Sequence, residues 1–292
     1  MHAVTSSLRA LWRQRRFGAV LAVAALIYLA FNLDQIADGV GTRHEALILG
    51  FAVILTLLIA AFLTALFCAI LRPFRFVPLI LALSLPFMVL PLPRILDGYV
   101  FPGATELAVM FFWSWFLFEP RVDRILPKVG YRESGRLRAQ AGPRAILNAT
   151  IPGLGPVASY WGALYDVERD PERGRVRKVR YAMGRGVYEE QTVSIGPISA
   201  TGGGYAFVNE ASERAMPMTR GIYDVQIGEP DAKGRRRIVL SLERPACPIR
   251  IAFLEWIGDR MGSEADAVAA KLRRRCDPSD IGREMRIRMG EA

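Results

Sequence analysis

The chain has 292 residues, 52% of them hydrophobic, and carries 38 basic against 28 acidic residues for a net charge of +10. Its two histidines, His2 and His44, both precede residue 120, so the C-terminal part has no imidazole. That excludes Ser/His/Asp and Cys/His nucleophilic sites, HExxH zinc chemistry and histidine acid–base catalysis from that part.

In chain order, the apolar segments come first. Residues 17–37 are uncharged until Asp34, residues 46–71 carry no charge, residues 76–92 hold Pro78, Pro86 and Pro91, and residues 99–118 end in a Phe/Trp cluster. A hydrocarbon core of roughly 30 Å needs about 20 apolar residues, so the lengths predict four transmembrane helices in a domain spanning 1–120. Arg9, Arg13, Arg15 and Arg16 precede the first segment, Arg72 and Arg75 fill the turn after the second, and Arg121 and Arg124 follow the fourth. The positive-inside bias then places both the N-terminus and the C-terminal domain in the cytoplasm. Lysine supplies four of the 38 basic residues, an arginine bias attributed to a GC-rich genome, and the expected location is a bacterial inner membrane.

Residues 121–174 read as a basic, glycine- and proline-interrupted connector next to the membrane. Within it, residues 145–165 are uncharged, long enough on length alone for a fifth span, but Pro152, Gly153, Gly155 and Pro156 would break a helix in lipid. The preferred expectation is a loop and then a short helix in which Val157, Tyr160, Trp161, Leu164 and Tyr165 form an interfacial face. Beyond it, residues 175–292 are expected to form a soluble α+β domain. Tyr223, Val225 and Ile227 alternate on one strand face and Ile238, Leu240 and Leu242 on another, which predicts a hairpin around Glu229 to Gly234. Leu254, Ile257, Met261, Ala265, Val268 and Leu272 then follow helical spacing. The fold class is thus a multi-pass α-helical membrane region followed by a small antiparallel sheet with C-terminal helices.

Candidate sites are few, and no catalytic residue or cofactor is assigned. Arg173, Arg175, Arg177, Lys178 and Arg180 form a basic run that, with Trp161 and Tyr165, suits anionic lipid headgroups or a protein partner better than nucleic acid, for which no recognition motif exists. Asp34, Asp38 and Glu106 form a possible intramembrane polar site, the alternative being an ordinary interfacial rim. Adjacent carboxylates such as Glu189 and Glu190 read as solvated surface. No Cys/His spacing suggests a metal, and Cys247 and Cys276 pair only if their side of the membrane is oxidising. The expected function is a non-catalytic binding, scaffolding or assembly module with a protein partner or a second copy. The alternatives are a membrane-bound enzyme using carboxylate, Tyr or Lys chemistry, and a transporter subunit.

Overall fold

The computed structural model describes residues 12–31, 43–70, 76–88, 104–184, 187–209 and 219–274. The chain divides into two units, Met1–Glu119 and Pro120–Ala292. The first is helical where described, with α1 (Arg15–Phe31), α2 (Arg43–Ile70), α3 (Phe76–Ser84) running into a 3-10 turn at Leu85–Met88, and α4 (Ala104–Phe118). Helices α1 and α2 meet at Gly18, where a Cβ would fall 2.5 Å from the carbonyl oxygen of Ala61. Phe76 then presents its ring edge-on to Phe17 and Phe118, with centroids 6.3 and 5.3 Å apart.

The expected four-span region is overturned. Among the described residues one helix, over Ile48–Cys68, is long and apolar enough to cross a membrane. Its 21 residues extend about 32 Å at 1.5 Å per residue. The segment at 76–92 supplies only nine α-helical residues before Pro86, with no N–H to donate, falls in the 3-10 turn. Helix α4 has 15 residues, about 22 Å, short of a hydrocarbon core of roughly 30 Å. The 17 residues of α1 include Arg15 and Arg16. Apolar composition therefore overstated the number of spanning elements, and the description as a multi-pass membrane protein falls with it.

The second unit is built on a sheet larger than expected. Among the described residues its seven strands are β1 (Lys128–Ala139), β2 (Leu164–Arg169), β3 (Val176–Gly184), β4 (Val187–Ser199), β5 (Gly202–Asn209), β6 (Thr219–Pro230) and β7 (Arg236–Pro248). All pair antiparallel in the order β1-β7-β6-β5-β4-β3-β2. A 3-10 turn at Pro120–Arg124 precedes β1; α5 (Pro143–Thr150) and a short 3-10 turn at Val157–Ser159 lie between β1 and β2; α6 (Ile249–Ile257) and α7 (Arg260–Leu272) follow β7.

Residues 121–174 are thus part of the sheet domain rather than a connector to it. Along β1, Tyr131, Gly135, Leu137 and Ala139 are buried while Arg132, Arg136 and Arg138 are exposed, the period of two that a half-buried strand requires. In 145–165 the helix comes first and the turn second, the reverse of the expected order, and Leu164 and Tyr165 begin β2. The predicted hairpin is present, with Tyr223 opposite Leu242, Val225 opposite Leu240 and Ile227 opposite Ile238.

The core lies between the inward sheet face and helices α5 and α7. Leu137, Val179, Val193, Val225, Ile238 and Leu240 meet Ile146 and Leu147 from α5 and Met261, Ala265 and Val268 from α7. Gly135 permits the closest approach, since a Cβ there would lie 2.0 Å from the backbone oxygen of Met261. Glu133 accepts from the Tyr131 hydroxyl at 2.7 Å and from the Met261 N–H at 3.4 Å, placing a carboxylate where the first turn of α7 has unpaired N–H groups. The break between α6 and α7 falls at Gly258 and Asp259, the latter at φ 46.

Candidate functional site: a polar aromatic cavity under the C-terminal helix

Every strand from β3 to β7 changes character toward the same end of the sheet. Inward residues run Val179 to Tyr181 on β3, Ile195 and Val193 to Gln191 and Glu189 on β4, and Tyr205 and Phe207 to Asn209 on β5. They run Ile227 and Val225 to Tyr223 and Gly221 on β6, and Ile238 and Leu240 to Leu242 and Arg244 on β7. Neighbouring strands are antiparallel, so these progressions converge in space. One end of the inward face is aliphatic core; the other is aromatic and polar.

At the polar end the side chains enclose a cavity of about 150 Å³, also lined by Tyr160, Trp161, Gly162 and Ala163 from the segment before β2 and by Arg260 and Glu264 from α7. Tyr205 and Tyr223 stack with centroids 5.1 Å apart and planes at 20°. Tyr160 lies 6.2 Å from Tyr181 and 5.8 Å from Trp161, centroid to centroid. Polar atoms join in two chains. On one wall, Tyr181 donates to Gln191 at 3.3 Å, Gln191 to Asn209 at 2.5 Å, and Asn209 to Glu189 at 2.5 Å. On the other, Arg244 and Arg260 both donate to Glu255 Oε1, at 2.8 and 2.7 Å. The guanidinium of Arg244 also stands 5.8 Å from the Phe207 ring centre, a cation–π distance. Gly221, between them in register, leaves that space open: a Cβ there would lie 2.6 Å from Phe207 Cζ.

Glu264 is the buried acid of the site. Its Oε1 accepts from the Tyr223 hydroxyl at 2.5 Å. Burial pushes its carboxyl above the usual 4.5, and the Tyr223 hydrogen bond and the nearby Arg260 and Arg244 oppose the rise. Burial likewise holds the hydroxyls of Tyr160, Tyr181, Tyr205 and Tyr223 well above 10.0, so all four stay protonated as donors. Two further donors are unsatisfied. Arg244 Nε and Trp161 Nε1 are buried with no hydrogen-bond partner among the described residues. Among these residues no group of three or more His, Cys, Asp or Glu side chains is placed to hold a metal.

The structure divides the residues expected to form a docking face. Trp161 packs against the core and lines the cavity, whereas Tyr165 is 57% exposed on β2. In the basic run, Arg180 faces Asp166, Glu168 and Glu190 at 3.6, 4.0 and 3.5 Å, and Lys178 faces Glu190 at 3.9 Å. Arg177 donates to the Gly174 and Val176 carbonyls at 2.7 and 2.8 Å, while Arg173 and Arg175 are exposed near the turn before β3. The run is therefore a strand with cross-strand ion pairs, each worth little at an exposed surface, more than an open cationic patch. Asp34, Asp38 and Cys276 lie outside the described residues. Glu106 is on α4 with a buried Oε2. Cys247 is buried beside Tyr131, Ile251 and Ala252, and burial pushes its thiol up while Arg244 opposes the shift.

Sequence reasoning missed Glu264, Arg244 and the four-tyrosine cluster. The available signal was the inward alternation of strands that also carry Tyr181, Tyr205, Phe207 and Tyr223. No family model matches the chain, and no curated protein matches it. Several solved structures are similar to about half of it. An uncharacterised protein from Bacillus thuringiensis is 12% identical with a TM-score of 0.35, matching 49% of this chain and 98% of its own. Ara h 8.0201 is 12% identical at a TM-score of 0.36, over 50% of this chain and 99% of its own. The protein XoxI from Bacillus cereus is 13% identical at 0.36, over 49% and 94%. At these identities and scores they lend no function to this chain.

Proposed function

We propose that the C-terminal unit is a binding module for a small aromatic molecule, and that the N-terminal unit attaches it to a membrane through the Ile48–Cys68 helix. The observation that carries the first part is the convergence of Tyr160, Tyr181, Tyr205, Phe207 and Tyr223 on one cavity of about 150 Å³. An engineered cavity of roughly that volume holds a benzene ring when its walls are apolar. Here the walls alternate ring faces with hydroxyl, amide and guanidinium groups, which suits one ring bearing a polar substituent. Support for the second part comes from the outer side of α2, where Phe51, Ile54 and Leu58 are 69%, 60% and 63% exposed. Large apolar side chains in a continuous exposed row need a cover, and lipid supplies one along a helix of this length.

Titration calorimetry of the full chain in detergent with phenol tests the binding reading. Ala163 lines the cavity and is buried, so Ala163→Leu should fill it; heat of binding should appear for the natural chain and vanish for the variant. Equal heats, or none in either protein, would contradict the reading.

A second reading, proton-transfer catalysis, is favoured by one observation: Glu264 combines burial, an upward-shifted carboxyl and a tyrosine partner inside the same cavity. Chemical conversion of a bound ring compound that stops in Glu264→Gln while binding persists would select this reading over simple binding.

A further inference from the structure

The two unsatisfied donors define what the ligand must carry. Arg244 is 7% exposed and lines the cavity; its Nη1 is committed to Glu255 at 2.8 Å, and its Nε–H is buried without an acceptor among the described residues. Trp161 lines the same cavity, and its indole N–H is in the same condition. A buried donor left unpaired costs the full desolvation of the group, so a site with two such donors favours a ligand that brings acceptors. One of the donors belongs to a guanidinium, whose best partner is a planar carboxylate. Repulsion from the acids of the site is limited by the partners they already hold. Glu189 Oε1 accepts from Asn209 at 2.5 Å, and Glu255 Oε1 accepts from both Arg244 and Arg260 at 2.8 and 2.7 Å. Burial shifts Glu264 toward its neutral form, and Tyr223 occupies its Oε1.

We infer that the cavity takes a single-ring aromatic carboxylate, its ring against Tyr205, Phe207 and Tyr223 and its carboxylate on the N–H groups of Arg244 and Trp161; this rests on the small-molecule reading above. The acceptor accounts for both orphan donors at once, and the ring accounts for the volume. A neutral phenol satisfies the second requirement and only part of the first.

The experiment compares benzoate and phenol at pH 7 on the full chain in detergent, by calorimetry and by the indole N–H resonance of Trp161. Benzoate should bind about tenfold or more tightly than phenol, because a hydrogen bond to a charged group exceeds a neutral one by about that factor. It should also shift the Trp161 N–H resonance. Trp161→Phe keeps an aromatic ring and removes the donor, and should weaken benzoate about tenfold while leaving phenol within about twofold. Arg244→Lys keeps the charge beside Glu255 and removes Nε, and should act in the same direction. Should either variant fail to fold, the resonance shift in the natural chain still decides. Phenol binding as tightly as benzoate, or benzoate leaving the Trp161 resonance in place, would overturn the inference and leave the small-molecule reading standing. Absence of binding by both compounds would overturn the two together.

Discussion

The hydroxyl of Tyr223 donates to Glu264 Oε1 at 2.5 Å and so ties the middle of the sheet to the C-terminal helix inside the cavity. Tyr223 sits on β6 because its alternation with Val225 and Ile227 keeps it on the inward face. Glu264 is one turn into α7 and is 5% exposed. This contact makes the cavity's chemistry and the fold's stability depend on the same pair.

The pH dependence follows from the direction of the Glu264 shift. Burial raises its folded value above the usual 4.5, so the folded chain binds more protons than the unfolded one between those two values. Stability from this group is therefore greatest below about 4.5, falls as pH rises through the folded value, and is level above it. Glu264→Gln keeps an acceptor for Tyr223 without the charge. Its melting temperature relative to the natural chain should rise between pH 4 and pH 8. A difference that does not change with pH would contradict the shift.

Asp123 and Arg250 form a buried ion pair joining the 3-10 turn before β1 to helix α6, with side chains 0% and 6% exposed. Asp123→Ala leaves the guanidinium in the interior without this carboxylate, and should cost about 3–5 kcal/mol in denaturant unfolding. Replacing both partners by leucine and methionine should recover much of the loss. Equal destabilisation by the single and double variants would contradict that account.

Gly135 marks the place where α7 rests on β1. With a Cβ 2.0 Å from the Met261 oxygen, Gly135→Ala must displace backbone, and overpacking of this kind costs about 1–3 kcal/mol or more. Phenol affinity should fall as well, because Glu264 and Arg260 move with the helix. An alanine variant with unchanged melting temperature would show that the approach is looser.

An arginine at the centre of the Ile48–Cys68 helix should weaken attachment to the membrane. Leu58 is 63% exposed, and Leu58→Arg places a charge near mid-helix at about 2.5–3.5 kcal/mol. The natural chain should stay in the membrane pellet after alkaline extraction, and the variant should be partly released. Complete release of the natural chain would remove the anchor from the proposed function.

What the sequence made legible was local and periodic. Tyr223 to Ile227 and Ile238 to Leu242 alternate without interruption, and their pairing was legible, although β6 and β7 run on to Pro230 and Pro248 beyond the expected ends. Strand β1 was hidden because Gly135 and Glu133 take inward positions where an apolar side chain would have shown the period; both are explained by α7, a partner more than a hundred residues away. Glu189 and Glu190 are adjacent and so face opposite sides of β4: Glu190 meets Lys178 and Arg180 outside, while Glu189 lines the cavity. Only the register of the whole sheet separates those roles. Apolar composition, for its part, measures transfer to lipid but not where helices end, and the segments at 76–92 and 99–118 were overread for that reason.

The central claim is that the polar end of the sheet holds a single-ring ligand, and the most direct measurement is fluorine NMR of 3-fluorophenol mixed with the full chain in detergent micelles. The account predicts a shifted or broadened fluorine signal that returns to its free position on adding excess phenol, and no such change with Ala163→Leu. A signal that is the same with the natural chain, the variant and empty micelles would contradict it.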